Sequence, residues 1–331
     1  MRNKKMLTLI KNFPKYFLDG YDLCDSSLDF MPSEIENIVY AGMGGSAIAG
    51  DAIKEIIYPY SKYPFEVVRN YDLPSYVSDK TFLLISSFSG NTEETLNCLN
   101  EGIRRNAKII TISANGMVEK ISIEKKVKHI KLPLDVPPRA AMGMTLGLLL
   151  KKFSKFVDEQ KFQENVQDTI LKLTDYNFDI ENAKRIAKLI KGKVVNIYID
   201  SSFSSVGKRF ANQLHENSKH FAHFNFIPEM NHNEIVGLEN PDFISKKMVL
   251  FFIIFKGTNE RNRKRIYLTK DILDKNRFET FIFEFDSDND IFNIVDSIIT
   301  FDLVSYFLAL ENGEDPMKIK RIDILKKRMK K

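Results

Sequence analysis

The chain has 331 residues, 44% of them hydrophobic and 28% charged, which allows two cores of ordinary size and excludes a disordered chain. Its net charge of +5 arises from Lys and Arg interleaved with Asp and Glu, apart from a basic tail over 318–331. No basic face backed by aromatic or groove-reading elements is present, so nucleic acid is not the expected partner, whereas an anionic metabolite suits the charge.

Cys24 and Cys98 are the only cysteines, which argues against a disulfide framework and for a reducing compartment. The apolar stretch 6–10 is too short for a signal sequence, and the longest apolar strand-like run, 248–255, falls far short of the ~20 residues of a membrane span. The expectation is a cytoplasmic protein without a membrane partner.

In the first half, runs rich in Val, Ile and Phe at 37–41, 65–68, 82–86, 108–112 and 129–132 read as strands. Amphipathic stretches separate them, notably 46–57, 92–105 and 140–156. A charged segment around 157–167 reads as a join. The second half repeats the design, with strands at 194–199, 222–226, 248–255 and 280–285. Its helices follow the polar loop 200–205 through residue 217, then fall near 261–275 and 291–312. Strands alternating with helices predict a parallel sheet covered on both faces. Aligning 39–42 with 198–201 brings both halves to the same point: strand, small-residue loop, helix. The expected fold class is α/β, two doubly wound parallel-sheet domains over 1–156 and 157–331, with ligands at the carboxyl ends of the strands.

The first such loop is 41–51, AGMGGSAIAGD, where glycines let a ligand approach the backbone and a helix N-terminus offers free N–H groups to an anion. It also satisfies G-x-G-x-x-A, so a nicotinamide dehydrogenase is a rival, as is a glycine turn that only packs helix on strand. A dehydrogenase expects an acidic residue at the end of the second strand. Here Val68-Arg69-Asn70 stands instead, which suits at best a phosphorylated ribose. The second loop begins the stretch 86–96, SSFSGNTEETL. Ser87, Ser89 and Thr92 supply three hydroxyls, Gly90 allows a tight turn, and helix N-terminal amides lie alongside, the donors a phosphate monoester needs. Thr followed by Glu is also a capping pattern, the bland alternative for part of this string.

These two strings, with PPRAAMG at 137–143, HENSK at 215–219 and NHNEIVG at 231–237, resemble the bifunctional phosphoglucose/phosphomannose isomerases, built from two sugar isomerase (SIS) domains. The resemblance runs from about residue 37 to 327. It implies aldose–ketose isomerisation of hexose 6-phosphates, glucose to fructose and also mannose, through a cis-enediolate, with neither metal nor cofactor. It further implies that Gly45, Ser46, Ser87, Ser89 and Thr92 hold the substrate phosphate, that Glu216 is the base between C1 and C2, and that Arg139 stabilises the enediolate. On the same resemblance, His232 would open the sugar ring from the partner subunit of a homodimer with a shared active site. A lysine near the C-terminus assists, and Lys326 is its counterpart here.

Isolated from the resemblance, Glu216 and Arg139 read as solvated charges and His232 as a turn residue. His215, His220 and His223 lack H-x-H or H-E-x-x-H spacing, which argues against metal. Where the family commonly has threonine in DPTPV, this chain has Met317 in Asp315-Pro316-Met317-Lys318-Ile319. The remaining rivals are a sugar-phosphate-sensing SIS module without catalysis and an SIS enzyme of amino-sugar phosphates. A sensor is often joined to a DNA-binding segment, and no helix-turn-helix pattern precedes the first strand.

Overall fold

Strands buried on both faces read as continuous apolar runs, and that is how the central strands of this protein are made. The computed structural model describes residues 2–23, 27, 30–133, 135–275 and 278–329; Cys24 lies outside the described residues. The chain forms two compact units, one of Asn12–Tyr176 and the other of Met1–Lys11 with Asn177–Lys331. The first helix, α1 (Arg2–Lys11), belongs to the latter unit and packs on its longest helix, Asp290–Glu311.

The unit Asn12–Tyr176 holds strands β1 (Asn37–Gly42), β2 (Phe65–Val68), β3 (Thr81–Ser86), β4 (Lys108–Ser113) and β5 (Lys128–Lys131), all parallel, in the order β2-β1-β3-β4-β5. Its helices are α2 (Phe13–Asp22), α3 (Gly44–Ile57), α4 (Glu93–Arg104), α5 (Met117–Glu124), α6 (Met142–Phe153) and α7 (Gln160–Thr174). Val39, Ala41, Leu83 and Ile85 face Cys98 and Leu99 of α4 and Val118 of α5. The alternate residues turn the other way: Tyr40 lies against Gly50 of α3, and Phe82 packs on Phe153 and Phe156. The sheet is thus covered on both faces, each fully buried large apolar side chain contributing roughly 1.5–3 kcal/mol.

The join expected around 157–167 is instead part of α7, which buries Phe162, Val166, Thr169 and Leu173 and packs on α2 in this unit. Those positions recur at the helical period, so residues up to Tyr176 go with the first sheet rather than parting from it at 157.

The other unit holds α8 (Ile180–Ile190), β6 (Val194–Asp200), α9 (Ser204–Ser218), β7 (Ala222–Ile227), α10 (Glu234–Gly237), α11 (Ile244–Lys247), β8 (Met248–Phe255), α12 (Glu260–Lys275), β9 (Glu279–Phe285), α13 (Asp290–Glu311) and α14 (Lys320–Met329). Its parallel sheet runs β7-β6-β8-β9, repeating the first sheet's order over four strands. Phe251 meets Phe210 of α9 on one face, while Leu250, Phe252 and Ile254 meet Ile266 and Leu273 of α12 on the other. Among the described residues α13 alone is long and apolar enough to cross a membrane, yet 83% of its most apolar stretch is buried inside this unit, against α8 and α9.

Candidate active site

In the unit Asn12–Tyr176 the strand order reverses between β1 and β3, and the chain leaves their ends in opposite directions, which opens a crevice at the carboxyl edge. Gly42 pairs with Ser86 at those ends, so the two loops begin side by side. After β1, Met43 is extended, Gly44 turns with φ +53°, and the Ser46 N–H bonds the Met43 carbonyl at 3.1 Å as α3 begins. Gly45 and Ser46 are partly exposed in the first turn of a 14-residue helix, where the dipole favours an anion and the Ser46 hydroxyl adds a donor.

The loop after β3 folds on itself. The Gly90 N–H donates to the Ser87 carbonyl at 2.9 Å, and Asn91 Nδ2 donates to the Ser89 carbonyl at 3.0 Å. It is clamped to the loop after β4, because the Ala114 N–H donates to the Phe88 carbonyl at 3.0 Å and the Val118 N–H to the Gly90 carbonyl at 2.9 Å. The buried Ser87 hydroxyl donates to Thr92 Oγ1 at 3.0 Å. Thr92 is the N-cap residue of α4, yet its side chain makes no capping bond. Helix capping therefore does not account for this threonine; its hydroxyl turns toward that of Ser87. Ser89 is exposed beside them.

Arg139 lies in a 3-10 turn, Pro138–Ala140, that packs against α3. The residue is buried, at 5% exposure, unlike the solvated cation that the residue type alone suggests. Arg69, at the end of β2, is engaged by Asp51 of α3 and by the Ala47 carbonyl at 3.2 Å. It ties the edge strand to the glycine-loop helix, which takes away the cation a phosphorylated ribose would use.

In the second unit Glu216 is partly buried in the last turn of α9. Asn217 Nδ2 donates to Ser305 Oγ of α13 at 2.9 Å, and the Ser218 hydroxyl donates to the Leu214 carbonyl at 2.7 Å. Lys219 ends the helix in the left-handed region, φ 52°, and its ammonium donates to the carbonyls of Asn217 and Asp315. His232 ends a 3-10 turn, Glu229–His232, that follows β7, and Lys326 lies on α14; both are exposed. Six of the expected residues thus belong to one unit and three to the other.

The other four histidines take separate partners: His129 Nδ1 the Thr111 hydroxyl at 2.8 Å, His215 Nε2 the Ala222 backbone, His220 Nε2 the Lys193 carbonyl at 2.6 Å, and His223 Nδ1 the Glu234 carboxylate at 3.5 Å. Among the described residues no three His, Cys, Asp or Glu side chains gather as metal ligands. Sequence reasoning missed Asn91, which braces the serine loop, and the Glu234 carboxylate, whose long-range partners no local motif announces.

Two sequence profiles match this architecture: the SIS domain over residues 33–129, and the bacterial phospho-glucose isomerase C-terminal SIS domain over 179–329. The fold also superposes on the C-terminal domain of glucosamine-fructose-6-phosphate aminotransferase from Francisella tularensis. That match has TM-score 0.76 and 17% identity, over 95% of this chain and 98% of that one. A pair of SIS domains in one chain defines a protein of the sugar isomerase class. The chain is 32% identical over 342 residues, 98% of each chain, to the bifunctional phosphoglucose/phosphomannose isomerase of Caldicellulosiruptor bescii. It is 30% identical to that of Aquifex aeolicus, over 95% of this chain and 96% of the relative. It belongs to the bifunctional phosphoglucose/phosphomannose isomerase family.

Proposed function

We propose that the protein interconverts glucose 6-phosphate and fructose 6-phosphate, and also acts on mannose 6-phosphate, by proton transfer through a cis-enediolate. The observation that carries this reading is the serine loop at the sheet's reversal point, with the Ser87–Thr92 hydroxyl pair beside the amides of α4, in a chain of this family. Gly45, Ser46, Ser87, Ser89 and Thr92 hold the phosphate. Glu216 removes the C2 proton of the open-chain aldose; the C–H electron pair forms the C1=C2 bond and the C1 carbonyl oxygen takes the negative charge. Arg139, permanently charged, stabilises that oxygen. Transfer of the O2 proton to O1 and return of the proton from Glu216 to C1, as the electrons on O2 form the C2 carbonyl and the C1=C2 pair forms the new C1–H bond, leaves the ketose.

His232 opens the ring, a task suited to an imidazole, which can both donate and accept a proton, and Lys326 assists. No metal or nucleotide takes part. The enzyme works in the cytosol as a homodimer whose subunits share the active site, His232 coming from the partner copy.

The deciding experiment is Glu216→Gln, which keeps shape and removes basicity. The expected result is a loss in kcat of ~10²–10⁴-fold with KM little changed, as for removal of a general base. Incorporation of solvent deuterium at C2 of recovered substrate should disappear with it. Near-normal turnover by this variant would overturn the reading.

A further inference from the structure

The turn that ends in His232 has nearly every other side chain tied down. Met230 is fully buried in the core beneath it, and Asn231 Nδ2 donates to Thr269 Oγ1 of α12 at 2.7 Å. Asn233 Nδ2 donates to Glu229 Oε1 at 2.7 Å. Glu234, which opens the next helix, carries the heaviest set of bonds. Its carboxylate accepts the Tyr198 hydroxyl at 2.8 Å and Asn225 Nδ2, with His223 Nδ1 at 3.5 Å. Tyr198 is a fully buried residue of the central strand β6, its ring stacked on Phe252 at 5.3 Å and its hydroxyl accepting Asn196 Nδ2 at 3.0 Å. Burial beside the Glu234 carboxylate pushes this phenol well above its usual pKa, so it stays a hydrogen-bond donor. Within this run of bonded side chains His232 stands exposed.

We infer that Glu234 is the positioning residue of the ring-opening step: through the Tyr198 hydroxyl it anchors the turn to the central strand and so fixes where the His232 imidazole stands. The inference rests on the role of His232 proposed above. It explains why an exposed turn is cross-bonded to β6, β7 and α12 at once, which a loop serving only as a connection does not require. An acid–base group must stand within hydrogen-bond reach of the ring oxygen, and displacement of about 1 Å by a distant change costs on the order of 10²-fold in rate.

The test compares three variants on two substrates. Glucose 6-phosphate must be opened; a 4,5-dideoxyhexose 6-phosphate lacks both ring-closing hydroxyls and is always acyclic. Tyr198→Phe keeps the stacked ring and removes the hydroxyl's bonds to Glu234 and Asn196; Glu234→Gln keeps an acceptor for Tyr198 and removes charge. Each should lower kcat on glucose 6-phosphate by roughly 10- to 10²-fold with KM nearly unchanged, and leave turnover of the acyclic substrate within about twofold of wild type. His232→Ala should show the same selectivity, more strongly. Equal losses on both substrates, or none, in the two positioning variants while His232→Ala remains selective would overturn the inference. Loss of selectivity in His232→Ala itself would instead remove the ring-opening role on which it rests.

Discussion

Gly90 is the residue on which the serine loop turns, and Gly90→Ala puts a number on how tightly that loop is built. The residue has φ +64°, and a Cβ added there would lie 1.6 Å from the Asn115 carbonyl oxygen and 3.0 Å from the Gly116 Cα. Real contacts of this kind are longer than 3 Å, so the serine loop and the loop after β4 must part by more than 1 Å. Two costs add: roughly 1–2 kcal/mol for a β-carbon in the left-handed region, and about 1–3 kcal/mol for overpacking against backbone that cannot rotate away. Gly44 supplies the control, because it too has positive φ, +53°, but nothing lies within 4 Å of its added Cβ. Gly44→Ala bears only the backbone cost.

At roughly 2–4 °C per kcal/mol for a domain of this size, the unfolding midpoint of the unit Asn12–Tyr176 should drop by about 4–20 °C in Gly90→Ala and by about 2–8 °C in Gly44→Ala. Differential scanning calorimetry reads both. Parting the loops also moves Ser89 and Thr92, so the KM for hexose 6-phosphate should rise at least tenfold in Gly90→Ala at a temperature where the variant is folded. Equal midpoints for the two variants, with unchanged KM, would refute the clamped loop and its role in phosphate binding together.

Three further outcomes are expected. Burial holds the His129 imidazole below its usual pKa, the nearby Lys131 adding to the effect and Glu119 opposing it; the unfolded chain therefore takes up more protons, and stability falls as pH drops below about 6.5. His129→Gln should flatten the melting profile between pH 5 and 7, and an unaltered slope would exclude His129 as its source. Asp302→Ala strands the buried Arg209, which holds that carboxylate at 2.6 and 3.1 Å, and should cost ~3–5 kcal/mol in denaturant unfolding, most of it recovered in Arg209→Met/Asp302→Leu. Met317→Thr should raise the ratio of mannose to glucose 6-phosphate turnover; an unchanged ratio would separate this residue from the choice of epimer.

The central strands were legible because parallel strands buried on both faces are apolar throughout, and 248–255 matches β8 to the residue; the edge strand β2 matches 65–68 through its β-branched and aromatic residues, although its Glu66 is exposed. The helices α2 and α7 were not legible. The face α2 turns inward includes Gly20, and α6 meets it with Gly143 and Gly147. A Cβ on Gly20 or Gly147 would fall 2.0 Å from a carbonyl of the other helix, so these glycines mark close helix contact where the sequence suggests a break. At the site, the loops at 41–51 and 86–96 were readable because their donors are adjacent in sequence. What braces the segments that carry Glu216 and His232 was not, because Tyr198 and Glu234 are 36 residues apart and Arg209 and Asp302 are 93 apart. Each of those charges, viewed on its own helix or turn, looks solvated.

The same reasoning bears on the departure at Met317. The Asp315 carbonyl accepts Lys219 Nζ, the Asp315 side chain accepts the Met317 N–H at 2.9 Å, and Asn312 Nδ2 donates to the Ser218 carbonyl at 3.1 Å. The C-terminal segment is thus bonded twice to the end of α9, within three residues of Glu216. Met317 presents its backbone to that arrangement, so exchanging a threonine for methionine there leaves the bonds intact and changes only what the side chain offers: a thioether in place of a hydroxyl. Glucose and mannose 6-phosphates differ only in configuration at C2, the carbon from which Glu216 takes its proton on the proposed mechanism. On that mechanism the side chain at 317 is expected to act on which epimer is accepted, while the proton transfer, common to both, rests on Glu216 alone.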